Sequence, residues 1–184
     1  TYADKAATPW RVGALGPDYA ARLIATAQDA LPSLEQEGIY VGQGPSVPKT
    51  AVLCEGMGAV WPGMGRELYE QFPIARAAME RIAAIASWDV LSLLDEQDVE
   101  RINATRYQIP YLFLLEYAQW SYLTALGFKP AMICGHSLGE LIGLCCAGIY
   151  DYTLAWHILD TRADHVAALE AQAKQNFGML AVHA

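Results

Sequence analysis

One stretch, Ala131-Met-Ile-Cys-Gly-His-Ser-Leu-Gly-Glu-Leu-Ile-Gly-Leu-Cys-Cys146, constrains the fold of this chain more than any other. Ala131 to Cys134 read as a short buried strand, and Glu140 to Cys146 read as a helix. Between them Gly135-His136-Ser137-Leu138-Gly139 fits the G-x-S-x-G turn. A strand that passes straight into a helix projects the central serine hydroxyl out of the sheet. The flanking glycines remove the Cβ atoms that would collide in so sharp a turn. The helix N-terminus behind Ser137 offers free N–H groups and a positive dipole end, both favourable to a developing oxyanion. A Gly/Ser turn that carries no chemistry is the competing reading of these residues taken alone.

The segment before the elbow sets its context. Thr50-Ala-Val-Leu-Cys54 is an apolar strand that runs into the glycine-rich loop Glu55-Gly-Met-Gly-Ala-Val-Trp-Pro-Gly-Met-Gly65. Leu68, Phe72, Ile74, Ala75 and Met79 then predict one helix to about Ile85. Such a strand, loop and helix presents backbone N–H groups to a ligand, although neither a P-loop nor a G-x-G-x-x-G register is present. Ser92 to Asp98 form an acidic stretch whose carboxylates read as a solvated face. Tyr107-Gln-Ile-Pro110 predicts the start of the next helix, with Pro110 in its first turn and Gly127 closing it. The order from Lys49 to Cys146 is βααβα, which predicts an α/β fold with a doubly wound, mostly parallel sheet and the active face at the strand ends.

Composition narrows the function classes. A length of 184 residues fits one domain with room for a small appendage, and 54% hydrophobic with 17% charged residues is a well-buried globular composition. The net charge of −8 argues against nucleic-acid binding. Cys54, Cys134, Cys145 and Cys146 show no metal-ligand spacing, and they read as free, mostly buried thiols. No signal peptide or long apolar run is visible, so the expectation is a cytoplasmic protein without a membrane span. Residues 1–48 read as a separate strand-helix-strand unit, with strands at Trp10–Leu15 and Ile39–Val41 and a helix from Asp18 to about Pro32. That unit is too small to bury much surface alone. The chain starts with Thr, and the expectation is a piece of something longer.

These motifs together resemble the malonyl-CoA:acyl-carrier-protein transacylase family, which includes the acyltransferase domains of polyketide and polyunsaturated-fatty-acid synthases. Gly56-x-Gly58-Ala59-x-Trp61-Pro-Gly-Met-Gly-Arg-Glu-Leu68 is similar to the family's opening motif, and Gly135-His-Ser-Leu-Gly-Glu140 to its nucleophile motif. Asp160-Thr-Arg162 falls where the family carries the arginine that holds an extender-unit carboxylate. Gly178-Met-Leu-Ala-Val182 resembles the strand that opens its small ferredoxin-like subdomain, before which this core is expected to be truncated. Residues 10–48 resemble the linker between ketosynthase and acyltransferase.

The resemblance implies a ping-pong acyl transfer. Ser137 is the nucleophile, the backbone N–H groups of Met57 and Leu138 form the oxyanion hole, and His136 and Arg162 bind the acyl group. No permanent cofactor is implied: the substrates are acyl-CoA and the phosphopantetheine of an acyl carrier protein. The implied partners are that carrier protein, the remainder of the acyltransferase domain and a neighbouring ketosynthase. Two departures stand out. Met57 replaces the family's usual glutamine, and Ile109-Pro110 replaces its usual Gln-Pro, with Gln108 one place early. The family's general-base histidine lies roughly a hundred residues beyond the serine, on the Ser-then-His order of such elbows. His157, His165 and His183 lack that context, so the base is expected outside this chain. Two alternatives stand beside the enzyme: a catalytically impaired docking domain of a megasynthase, and a serine esterase that shares the elbow.

Overall fold

The computed structural model describes residues 10–14, 39–43 and 49–172. The chain divides into two units after Lys49. In the first, β1 (Trp10–Ala14) pairs antiparallel with β2 (Ile39–Gln43), with Val12 opposite Val41. The helix expected from Asp18 to Pro32 lies outside the described residues, as do His183 and the strand expected at Gly178–Val182.

The second unit is α/β. β3 (Ala51–Cys54) and β4 (Met132–Gly135) pair in parallel, with Ala51 opposite Met132 and Cys54 opposite Gly135. Among the described residues this sheet has two strands. Parallel strands need a long crossover, and here it is made of helices: α1 (Arg66–Gln71), α2 (Pro73–Ala83), a 3-10 helix (Val90–Asp95), α3 (Val99–Asn103) and α4 (Thr105–Ala125). After β4 come α5 (Leu138–Cys146) and α6 (Tyr152–Gln172).

Three local expectations change. The single helix expected to Ile85 is two, broken at Phe72, whose backbone is extended at φ −117° and ψ 96°. The ring of Pro73 disfavours a helical residue before it, and Pro73 itself opens α2, where its missing N–H costs nothing. The carboxylates Asp95 and Asp98 of the acidic stretch are exposed, as a solvated face requires, but the segment also has an apolar side. Leu93 and Leu94 are buried within it, and Val90 just before it. Its flanking carboxylates act as caps: Asp89 accepts from the Ser92 N–H, and Asp98 accepts from the Glu100 and Arg101 N–H groups to start α3. Finally, α4 begins at Thr105, so Pro110 occupies its sixth position and lies inside the helix.

α4 is the core helix of the unit. Ile109, Tyr111, Leu112, Phe113, Leu114 and Leu115 are all buried. Over this stretch the helix is apolar and enclosed on every side, and α2, α5 and α6 pack around it. α6 docks through Ala155, Trp156, Leu159 and Ala163. Arg106 on α4 reaches two carboxylates of α6, Asp160 at 2.7 Å and Asp164 at 2.5 Å. Its guanidinium lies 4.9 Å from the Trp88 ring centre, and Trp88 Nε1 donates to Asp160 at 3.1 Å. Among the described residues no helix is long and apolar enough to cross a membrane.

Candidate active site

The elbow is built by backbone atoms. The His136 N–H donates to the Cys54 carbonyl at 3.0 Å, one step past the β3–β4 pairing, and the chain then turns. Ser137 takes φ 54° and ψ −113°, and it is the one non-glycine residue with positive φ among those described. A conformation of this kind costs on the order of 1–3 kcal/mol and persists only where its surroundings enforce it. Here they do. The Gly139 N–H closes on the His136 carbonyl at 2.9 Å and the Glu140 N–H on the Ser137 carbonyl at 3.1 Å. A Cβ on Gly135 would lie 2.1 Å from the Gly139 carbonyl carbon, and one on Gly139 would lie 2.1 Å from the Cys54 carbonyl oxygen. α5 therefore starts in direct contact with the end of β3, and side chains at either glycine would push them apart.

The glycine-rich loop meets the elbow from the other side. A Cβ on Gly56 would stand 2.9 Å from the His136 carbonyl oxygen, 3.1 Å from His136 Nδ1 and 3.4 Å from Ser137 Cβ. The two motifs, some eighty residues apart in the chain (Gly56 and Ser137), thus share one place at the ends of two adjacent parallel strands, as such ligand sites do. His136 and Ser137 are exposed, Met57 is exposed beside them, and Leu138 is buried at the first turn of α5. The exposed His136 ring lies against Gly56.

α6 holds the other sequence candidates. Arg162, His157 and His165 are exposed on it. The buried face of the helix, Ala155, Trp156, Leu159 and Ala163, is the side that α6 turns to α4, and Arg162 lies off it. Among the described residues Arg162 has no carboxylate at ion-pair distance, and no described hydrogen bond joins it, His157 or His165 to Ser137. The nearby acid of its motif, Asp160, is taken by Arg106 and Trp88.

Two residues of α4 that the motifs do not single out as functional reach the loop. The Glu55 N–H donates to Glu116 Oε1 at 3.0 Å, and the Gly58 N–H donates to Gln108 Oε1 at 3.3 Å. Burial, reinforced by the Cys54 side chain, pushes the Glu116 carboxyl up to about 8. The Cys146 thiol hydrogen-bonding to Cys54 draws the Cys54 thiol down to about 7 against its burial, and Cys146 is shifted upward in turn. Cys54, Cys145 and Cys146 are buried, while Cys134 is exposed, contrary to the reading of its strand as buried. A carboxylate and an amide at the two ends of the buried apolar run Ile109–Leu115 are the signal by which Glu116 and Gln108 stand out.

Residues 52–169 match the model of the acyl transferase domain. The chain belongs to that family. It is 32% identical over 152 residues to a type I polyketide synthase of phenolphthiocerol synthesis from Mycobacterium marinum, an alignment that covers 80% of this chain and 7% of the synthase. The acyltransferase domain from the second module of the salinomycin polyketide synthase superposes with a TM-score of 0.72 at 29% identity, over 87% of this chain and 38% of that one. A malonyl-transacylase solved in complex with its type II polyketide synthase acyl-carrier protein gives a TM-score of 0.60 at 27% identity, over 64% of this chain and 38% of that chain. The acyltransferase-family fold is thus the α/β fold of this unit, of which the chain spans a part.

Proposed function

We propose that this chain forms part of an acyltransferase that moves an acyl group, malonyl or a related carboxylated unit, from coenzyme A to the phosphopantetheine of an acyl carrier protein in polyketide or fatty-acid synthesis. Ser137 Oγ attacks the thioester carbonyl, the coenzyme A thiol leaves with a proton, and an acyl-serine ester remains. The carrier's phosphopantetheine thiol then attacks that ester, and Ser137 is released. The N–H groups of Met57 and Leu138 receive the oxyanion in both half-reactions. His136 lines the acyl position, and Arg162 receives the acyl carboxylate through a charge-assisted, forked contact. The base that takes the Ser137 proton is assigned to a histidine outside α6.

The observation that carries this reading is the Ser137 backbone, held at φ 54° with the Gly56 loop against its Cβ. The carrier-bound structural relative and the synthase relatives support a carrier protein and a ketosynthase as neighbours. Radiolabelled malonyl-CoA incubated with the intact parent protein should label it, and Ser137→Ala should abolish the label. Equal labelling of both proteins refutes Ser137 as nucleophile. No labelling of either assigns the domain to a docking role.

A further inference from the structure

We infer that Gln108 and Glu116 are a two-point clamp on the loop Glu55–Gly58, holding its ends so that the Met57 N–H between them is presented to the reacting carbonyl. The inference rests on the acyltransfer reading for the role of Met57, but the clamp itself stands on hydrogen bonds. Glu116 accepts the first N–H of the loop and Gln108 accepts the last. Among the described residues the Met57 N–H has no acceptor of its own.

The spacing suits the task. Two positions eight residues apart lie roughly 12 Å apart along a helix axis, and the three residue steps from Glu55 to Gly58 span at most about 10–11 Å. Both anchors sit on α4, at the two ends of its buried run Ile109–Leu115. Gln108 is buried and Glu116 Oε2 is a buried oxygen without a partner among the described residues. A loop tied to them inherits the rigidity of the core.

The orientation of Gln108 is also determined. Its Nε2 donates to Asn103 Oδ1 at 2.8 Å, and Asn103 Nδ2 donates to the Val99 carbonyl at 2.9 Å. With the amide nitrogen committed to α3, the amide oxygen is the group left for Gly58. Gly58 itself has φ +101°, so its N–H is delivered by a backbone shape that other residues resist.

The clamp answers the two departures of this sequence. Met57 has no side-chain amide with which to order the loop, and Ile109 stands where the family's glutamine is expected. Gln108, one position earlier, and Glu116, two turns later, supply the ordering from the helix instead. Neither touches Ser137, so both are positioning residues.

The test uses the intact parent protein carrying Gln108→Leu, Glu116→Leu or Glu116→Gln. Two readouts are taken: hydrogen exchange at the Glu55 and Gly58 amides, and the rate of acyl-Ser137 formation as a function of malonyl-CoA concentration. Each leucine variant should raise exchange at its own end of the loop and slow acylation at saturating malonyl-CoA about 10–100-fold, less than the ~10²–10³-fold loss of a deleted oxyanion donor. The KM should stay within about twofold, since ground-state binding does not use the Met57 N–H. Glu116→Gln keeps the acceptor and should match the unsubstituted protein in both readouts. Gln108→Asn withdraws the amide by one methylene and adds no apolar surface, and its exchange reading decides the Gly58 end should the leucine variant fail to fold. Unchanged exchange in the folded variants overturns the clamp. Raised exchange with an unchanged acylation rate overturns its positioning role. If the unsubstituted protein is not labelled at Ser137, the acyltransfer reading fails by itself, and the exchange data still decide the clamp.

Discussion

At the elbow, the path of the chain is dictated by backbone atoms in contact, whereas on α6 the residues around Arg162 are placed by side chains alone. Gly135 and Gly139 meet carbonyl groups of their own turn and of Cys54 with no room for a methyl group. Asp160 and Asp164 instead meet one guanidinium, and Arg162 between them is left in solvent. A contact between backbones tolerates no substitution, because neither partner has a rotamer to change. A contact between long side chains is negotiable, and its partner is chosen by whichever neighbour the fold brings within reach. On α6 that neighbour is Arg106 from α4.

The sharpest way to break this contrast is Gly139→Ala. A methyl group 2.1 Å from the Cys54 carbonyl must drive α5 off β3, and the expected loss is on the order of 3 kcal/mol or more of stability. Urea denaturation measures it, and a midpoint equal to the unsubstituted protein's would show that the elbow yields as freely as α6 does.

On α6 the matching change is Asp160→Ala. It leaves Trp88 Nε1 without its acceptor and removes one of the two carboxylates on Arg106. The pair is partly open to solvent and Asp164 remains, so the expected cost is about 1–3 kcal/mol, less than that of Gly139→Ala. The same urea titration ranks the two, and a larger loss from Asp160→Ala would invert the comparison.

A third test probes the elbow side through pH. Unfolded, the Glu116 carboxyl gives up its proton near its ordinary value of 4.5, and folded it keeps the proton up to about 8. Between those values the folded chain binds more protons than the unfolded one, so the Glu116 contribution is fully present below pH 4.5 and is lost as pH rises through 8. Subtracting the stability profile of Glu116→Gln from that of the unsubstituted protein should reveal this downward slope. A flat difference would show that the loop anchor is not a buried acid.

The smallest expected effect is that of Arg162→Ala on stability, within about 0.5 kcal/mol for an exposed side chain away from any pair. Its effect on acyl selection should be larger: malonyl loading should fall while acetyl loading holds. A parallel decline of both substrates, with a lowered urea midpoint, would make Arg162 a structural residue like Asp160.

Much of the elbow was legible from the residues in order. Gly135 and Gly139 around Ser137 announce a turn that only glycines permit, and the apolar runs on either side of that turn announce its strand and helix. The loop after Cys54 carries the same kind of signal. Helix ends were less legible where one residue decides them. The expected helix to Ile85 breaks at Phe72 because Pro73 follows, and the acidic residues Asp89 and Asp98 turned out to be caps because N–H groups three residues on needed acceptors.

By itself, then, the sequence determined the elbow, the strand-loop-helix order and the α/β class, because steric exclusion and hydrophobic periodicity are local and survive in any context. It also carried enough of the family pattern along residues 52–169 for that kinship to be recovered. Only the tertiary structure decided which polar side chains meet the glycine-rich loop and which meet another helix. Gln108 and Glu116 sit in an apolar helix and become loop anchors only once α4 is packed beside Glu55 and Gly58. Asp160 belongs to Arg106 and Trp88 only because α6 lies across α4. A hydrogen bond depends on angstroms between residues that are fifty to seventy-two positions apart, and no local rule of spacing contains that distance.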